Sequence, residues 1–209
     1  MGSRGCFAGI VVAVTFTVAL PISASAQAPG TAVPPGPVIA SSPELSASLD
    51  RLHAGSAAWR EALAALTDTG RRAIVVTPDR VRVRDGERVR PFDRDVLAEV
   101  QPLADAGQRV ETVIVVVNVP LLEEIHAPGV RAEFEGDLDR ILAHEVYGHA
   151  IPYLLAGHMS GRCPDPAPGE RATDACAIRR ENIIRTELRL GQRDEYGLSG
   201  LAMARRYRH

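Results

Sequence analysis

The chain has 209 residues, of which 45% are hydrophobic and 24% are charged. This is the composition of a folded globular protein, and it excludes a disordered, collagen-like or multi-span membrane protein. The formal net charge is -2, and no run of basic residues is long enough to follow a phosphate backbone, so nucleic acid is not the expected partner.

The first 26 residues have the features of a secretory signal peptide. Arg4 supplies a positive charge, residues 7–20 are uncharged and apolar, and Ala24 and Ala26 form an A-x-A cleavage pattern. The apolar stretch is too short to cross a bilayer comfortably. We therefore expect cleavage after Ala26 and a secreted or periplasmic mature protein without stable membrane insertion. An uncleaved N-terminal anchor is the alternative.

Residues 27–43 are rich in proline and carry no charge, which is typical of a solvated linker with polyproline II character. We expect one folded domain over residues 44–209, a length sufficient to bury a core. Within it, Cys163 and Cys176 can close a short loop by a disulfide in an oxidising compartment. The alternatives are two free thiols or zinc ligands, although the spacing lacks the C-x2-C pattern of structural zinc sites.

The first half of the domain alternates between helical and strand-like patterns. Residues 43–66 have helical apolar spacing, with a possible break at Gly55. Residues 73–77 and 81–89 are rich in β-branched side chains around a tight turn, which predicts a small antiparallel meander. Residues 93–100 have the pattern of a short helix.

The second half contains the strongest strand pattern and two further helices. Residues 110–119 are the most strand-like in the chain, which predicts the central or best-buried strand. A helix is expected from Asp137 to the stop at Gly157, and another over residues 173–190 with Gly191 as its C-terminal stop. The expected fold is therefore an α+β domain with an antiparallel sheet and a pair of C-terminal helices.

The first of these two helices contains the sequence H-E-V-Y-G-H over residues 144–149. His144 and His149 can supply two neutral nitrogen ligands to a zinc ion, and Glu145 is placed to accept a proton from water. Five residues apart on a regular α-helix, the two imidazoles point about 140° apart and cannot reach one ion. We therefore predict a π-bulge, which Gly148 would best tolerate. The alternative is a surface His144–Glu145 pair with a half-buried His149.

A zinc site of this kind needs a third protein ligand, which the next helix could supply. Asp174 and Glu181 are seven residues apart and share a helix face, so either could be the ligand. The alternatives are an i,i+4 ion pair between Glu181 and Arg185, and a first-turn acid at Asp174 favoured by the helix dipole. His158, which follows the first helix, is expected to be a solvated loop residue.

These motifs carry a resemblance to known metallopeptidases over residues 138–197. The H-E-V-Y-G-H helix resembles the zinc helix of zincin metallopeptidases and, more distantly, the H-E-x-x-G-H motif of dipeptidyl peptidase III. The pattern that runs from Asp174 through Ala177, Glu181 and Arg185 is similar to E-x-x-A-V-x-x-E-N-x-x-R. That helix follows H-E-L-x-H-A in small effector- and toxin-type proteins proposed to be metallopeptidases. This chain has Asp174 in place of the Glu and one extra residue between the histidines.

The resemblance implies a compact zincin-like domain, a Zn2+ cofactor and a peptide or protein substrate. We expect hydrolysis by metal-activated water with Glu145 as general base, and Tyr153, Arg185 or Tyr196 as candidates to stabilise the oxyanion. An extended peptide could pair along the strand at 110–119. The alternatives are a secreted non-catalytic binding or structural domain, with or without a structural metal, and a hydrolase of cell-wall peptides.

Overall fold

The computed structural model describes residues 36–85, 88–92, 96–126, 131–158 and 172–193. The α-helices are α1 (Pro43–Gly55), α2 (Ala57–Thr67), α3 (Val119–Ile125), α4 (Arg131–Leu142), α5 (Ile151–Ala156) and α6 (Ala172–Glu187). A π-helix over Ala143–Ala150 joins α4 to α5. The strands are β1 (Val38–Ala40), β2 (Arg72–Val76), β3 (Arg82–Asp85), β4 (Arg88–Pro91), β5 (Ala98–Ala104) and β6 (Val110–Val117).

The main sheet has the strand order β1-β2-β6-β5 and is mixed. Strands β1, β2 and β6 are parallel, whereas β5 is antiparallel to β6. The expectation of an antiparallel sheet is therefore wrong, while the mixed α and β content is confirmed. Parallel pairing of β1 and β2 is possible because α1 and α2 lie between them and form the crossover that parallel neighbours require.

Strands β3 and β4 form a separate two-stranded antiparallel hairpin. The predicted hairpin around residues 81–89 is thus confirmed. The predicted meander is wrong in its first strand, because β2 pairs in parallel with β6 in the other sheet. Sequence patterns report which residues form strands, but partner choice depends on contacts that are distant along the chain.

Strand β6 is the best-buried strand and lies between β2 and β5, as the sequence predicted. Its side chains alternate between two apolar clusters. Val113, Val115 and Val117 pack with the helices, and Ile114 and Val116 pack on the opposite face of the sheet. Because β6 is paired on both sides, it is not an edge, and the expectation that a peptide pairs along it is wrong.

Strand β5 replaces the helix predicted over residues 93–100. Residues 98–100 belong to the strand, and residues 93–95 lie outside the described part of the chain. The pairing of Ala98 with Val117 and of Val100 with Val115 explains the difference, because a strand partner outweighs a weak local helix pattern. Pro102 fits this assignment, since proline within sheets is found at edge strands.

Strand β1 lies within the segment expected to be a linker. Residues 38–40 pair with β2, and the Ala73 N–H donates to the Pro37 carbonyl at 2.8 Å. The folded domain therefore begins before residue 44. The predicted signal peptide and its predicted cleavage position fall among residues 1–35, which lie outside the described residues.

The helices agree with the sequence analysis more closely than the strands do. The break at Gly55 is confirmed, and Ser56 caps α2 by accepting from the Trp59 N–H at 3.0 Å. The helix that ends at Gly157 begins earlier than expected, and Gly157 has a φ of 72°, as a C-terminal stop requires. Helix α6 ends at Glu187, three residues earlier than expected. Within the described residues, no helix has the length and apolarity needed to cross a membrane.

A buried charged cluster fixes α1 to α4. Asp139 accepts from the Ser48 hydroxyl at 2.5 Å and from the Arg51 guanidinium at 2.7 Å. Ser48 is fully buried and Asp139 is 8% exposed, so these bonds are partly shielded from water. The cluster holds α4, and therefore the start of the π-helix, against the first helix of the domain.

Candidate metal centre

The π-helix contains both histidines of the H-E-V-Y-G-H motif. The N–H of Ile151 donates to the carbonyl of Val146, five residues earlier, instead of to the residue four earlier. This wider turn absorbs the extra residue between His144 and His149. The break from regular α-helical hydrogen bonding that the H-E-x-x-x-H spacing predicted is thus present over Ala143–Ala150.

The two imidazoles converge on each other through the same ring atom. The Nε2 of His149 lies 3.3 Å from the Nε2 of His144, and the rings are almost perpendicular, at 81°. His144 is 6% exposed and His149 is partly buried. His144 is therefore a buried residue. The alternative, in which His144 and Glu145 form a pair on the surface, does not apply to it.

Glu181 holds the other side of the His144 ring. Its Oε2 lies 2.9 Å from the Nδ1 of His144, and the carboxylate is 1% exposed. Since a carboxylate can only accept, Nδ1 carries a proton, and in the neutral ring the lone pair is then on Nε2, the nitrogen nearest His149. Glu181 thus fixes both the tautomer and the orientation of His144.

His144 and two arginines lower the pKa of Glu181 despite its burial. Burial by itself raises the pKa of this carboxyl, but the hydrogen bond and electrostatic interaction with His144, the hydrogen bond from Arg185 and the charge of Arg193 outweigh it, so the net pKa is lowered. Arg185 donates to Oε1 at 2.8 Å, and Arg193 lies 3.4 Å from Oε2. The expected i,i+4 ion pair between Glu181 and Arg185 is present, but the Glu181 carboxylate is buried and does not lie on the surface.

Gly148 and Ala177 set the distance between the π-helix and α6. A Cβ added at Gly148 would lie 2.9 Å from both the Cα and the Cβ of Ala177, which is closer than real side chains approach. Gly148 is therefore needed for close helix packing, and not only for the local rewinding that the sequence suggested. The same two helices carry His144 and Glu181, whose side chains meet at 2.9 Å.

Other predicted residues lie around the pair or outside the described side chains. Glu145 directly follows His144 in the π-helix and is partly exposed. His158 is exposed and forms an isolated β-bridge with Arg109, which agrees with the expected loop position. Asp174 lies in α6, but its side chain is outside the described part.

Tyr153 in α5 is partly buried, and Arg185, another oxyanion candidate, is bound to Glu181. Tyr196 and Cys163 lie outside the described residues, so the Cys163–Cys176 disulfide stays a prediction. Among the side chains that the structure describes, no group of three or more His, Cys, Asp or Glu residues is arranged to hold a metal ion.

The sequence assigned no role to Asn182 or to Arg193. In the structure Arg193 reaches Glu181, and Asn182 binds the backbone of Arg193. Only the E-N-x-x-R and G-x-R spacings could have signalled this.

Comparison of the chain with family models, with curated proteins and with solved structures finds no match.

Proposed function

We propose that the mature chain is a secreted zinc-dependent peptidase. The observation that carries this proposal is the 3.3 Å separation of the His144 and His149 Nε2 atoms on a π-helix. Two nitrogens bound to one tetrahedral zinc ion at about 2.0–2.1 Å lie about 3.3–3.4 Å apart. The spacing of the two imidazoles therefore fits two ligands of a single ion.

The chemistry of the surrounding residues also fits zinc. With its Nδ1 held by Glu181, a neutral His144 ring has its lone pair on Nε2, and zinc-binding imidazoles are commonly oriented in this way by a carboxylate. Since Glu181 lies on the Nδ1 side of the ring and is bound by arginines, it suits the role of orienting group. We therefore propose Asp174, two turns earlier in α6, as the third ligand. Bound zinc supplies a Lewis acid that polarises the scissile carbonyl and lowers the pKa of water.

Glu145 is the proposed general base. It adjoins His144 in the π-helix and is partly exposed, so it can face the solvent side of the pair. In the proposed reaction Glu145 accepts a proton from the attacking water and later delivers it to the leaving amine. Its exposure contrasts with that of Glu181, and this contrast supports two different roles for the two carboxylates.

The proposed substrate is a peptide that lies along β5. Within the described residues β5 has a neighbour, β6, on one side only, and β5 also contacts the π-helix. An extended peptide can add to such an edge through main-chain hydrogen bonds. This arrangement would bring its backbone toward the imidazole pair, and it replaces the earlier expectation that β6 serves as the edge.

Metal content and one substitution test the proposal. The purified mature chain should contain or tightly bind about one zinc per chain and should cleave unstructured peptides. Glu145→Gln should keep the zinc and lower the cleavage rate by about 10²–10⁴-fold, because the amide cannot accept the proton. Wild-type protein that neither contains zinc nor gains thermal stability from added zinc would favour a non-catalytic binding or structural domain. Loss of zinc in Glu145→Gln would make Glu145 a ligand.

A further inference from the structure

The residues after α6 turn back along its last turns. Residues 190–193, which we call the return segment, follow the helix end, and Gly191 has a φ of 71° that permits the reversal. The Leu190 N–H donates to the Arg185 carbonyl at 2.8 Å. The return segment therefore runs beside the helix turn that carries Glu181.

Asn182 holds the backbone of Arg193 with both ends of its amide. Its Nδ2 donates to the Arg193 carbonyl at 2.8 Å, and its Oδ1 accepts from the Arg193 N–H at 2.8 Å. Two hydrogen bonds to one residue fix its position and its orientation together. Arg185 adds a third tie, because its Nε donates to the Gly191 carbonyl at 2.6 Å.

These ties bring a second guanidinium to Glu181. Arg185 binds Oε1, while His144 and Arg193 both approach Oε2. Each oxygen of the carboxylate thus has a partner of its own, which restricts rotation of the group. The 22% exposure of the Arg193 side chain means that its charge is only partly screened by water.

We propose that Arg193 is a positioning residue of the zinc site and that Asn182 is the residue that holds Arg193 in place. The consequence for catalysis rests on the proposed function, whereas the consequence for the His144 ring does not. Arg193 acts through Glu181: it keeps the carboxylate aligned with Nδ1, so that Nε2 of His144 stays directed at the ion.

The test measures the His144 ring and zinc affinity in the same variants of the mature chain. Arg193→Ala and Asn182→Ala should each allow a second tautomer of His144 in the zinc-free protein, visible in two-bond 1H–15N NMR spectra. Zinc affinity should fall by about tenfold, the lower end of the range for groups that orient metal ligands. Arg193→Lys should restore most of both properties because it keeps the positive charge. Arg189→Ala removes an exposed arginine nearby and should change neither.

Opposite results would overturn the proposal. If Arg193→Ala and Asn182→Ala lower thermal stability but match Arg189→Ala in tautomer and zinc affinity, the return segment only terminates α6. If Asn182→Ala does not fold, the comparison of Arg193→Ala with Arg193→Lys decides, because it leaves Asn182 unchanged. If the wild-type chain binds no zinc, the proposed function fails, and the tautomer measurement still tests the role of Arg193.

Discussion

Asp139 and Glu181 are two buried carboxylates that the fold holds in similar ways but in different surroundings. Each is paired with arginine and has a further partner, which is the Ser48 hydroxyl for Asp139 and the His144 ring for Glu181. The first set of contacts joins α1 to α4. The second set continues through the imidazole to His149.

Burial and charge pairing are common to both carboxylates, so these properties do not distinguish Glu181, which we propose belongs to the zinc site, from Asp139. What distinguishes Glu181 is that its partner has a second nitrogen, directed at another potential ligand. Asp139 lies in regular α-helical surroundings, whereas His144 lies in a π-helix, and π-helical turns are frequent at functional sites. The following predictions separate the two roles.

Asp139→Ala should have the largest effect on folding stability. Its loss leaves the fully buried Ser48 hydroxyl without this acceptor, whereas Arg51, with 36% of its side chain exposed, can regain water. We expect the free energy of unfolding to fall by about 2–3 kcal/mol, measured by urea denaturation. The zinc affinity of the folded variant should match that of the wild type. A specific loss of zinc binding in this variant would mean that Asp139 also supports the zinc site, so the two carboxylates would not have different roles.

Glu181→Gln should mainly affect zinc. A glutamine can still accept from Arg185, but it lacks the charge that holds the His144 Nδ1–H, so zinc affinity should fall about tenfold to a hundredfold. Titration with a competing chelator measures this change. The matched variant is Asp174→Asn, which should weaken zinc binding more than Glu181→Gln does. The reverse order would make Glu181 the third ligand.

Gly148→Ala should separate the two helices of the site. The added methyl meets Ala177 and should cost about 1–3 kcal/mol of stability, together with weaker zinc binding. Gly136→Ala is the matched control, because Gly136 lies in α4 with open space around its Cα. That change should stabilise the fold by about 0.5–1 kcal/mol, and thermal melts of both variants provide the comparison.

Ser56→Ala should have the smallest effect. Ser56 caps α2 and also donates to Glu187, an exposed carboxylate near the end of α6. Loss of the cap should cost about 1 kcal/mol without changing zinc affinity. Equilibrium unfolding and zinc titration check both parts. A change in zinc affinity here would show that the site responds to any loosening of α6.

The sequence was most informative where local rules determine the structure. The break at Gly55, the stop at Gly157 and the π-helix around His149 follow from glycine conformation and from the spacing of two histidines on one helix. Strand β6 followed from its run of β-branched residues. In each case the deciding residues lie within a few positions of one another.

The remaining features depend on partners that are distant in sequence. Strand β1 is three residues long in a proline-rich segment, and it becomes a strand because β2 pairs with it. The contact of Glu181 with Nδ1 of His144, instead of Nε2, depends on how closely α6 approaches at Gly148. Spacing within α6 placed Glu181 on a face, but it could not show which ring atom Glu181 meets.

The short strand β1 also determines how the chain can be shortened. A protein that begins at residue 44, where the sequence suggested that the domain starts, would lack the partner that covers the outer edge of β2. The carbonyl of Val75, which now accepts from the Ser41 N–H at 2.9 Å, would then face solvent with the rest of that edge. Exposed strand edges recruit strands from other molecules. Because β1 has three residues and β2 has five, β1 leaves a shorter edge exposed, and we expect a chain that begins at residue 44 to self-associate more readily.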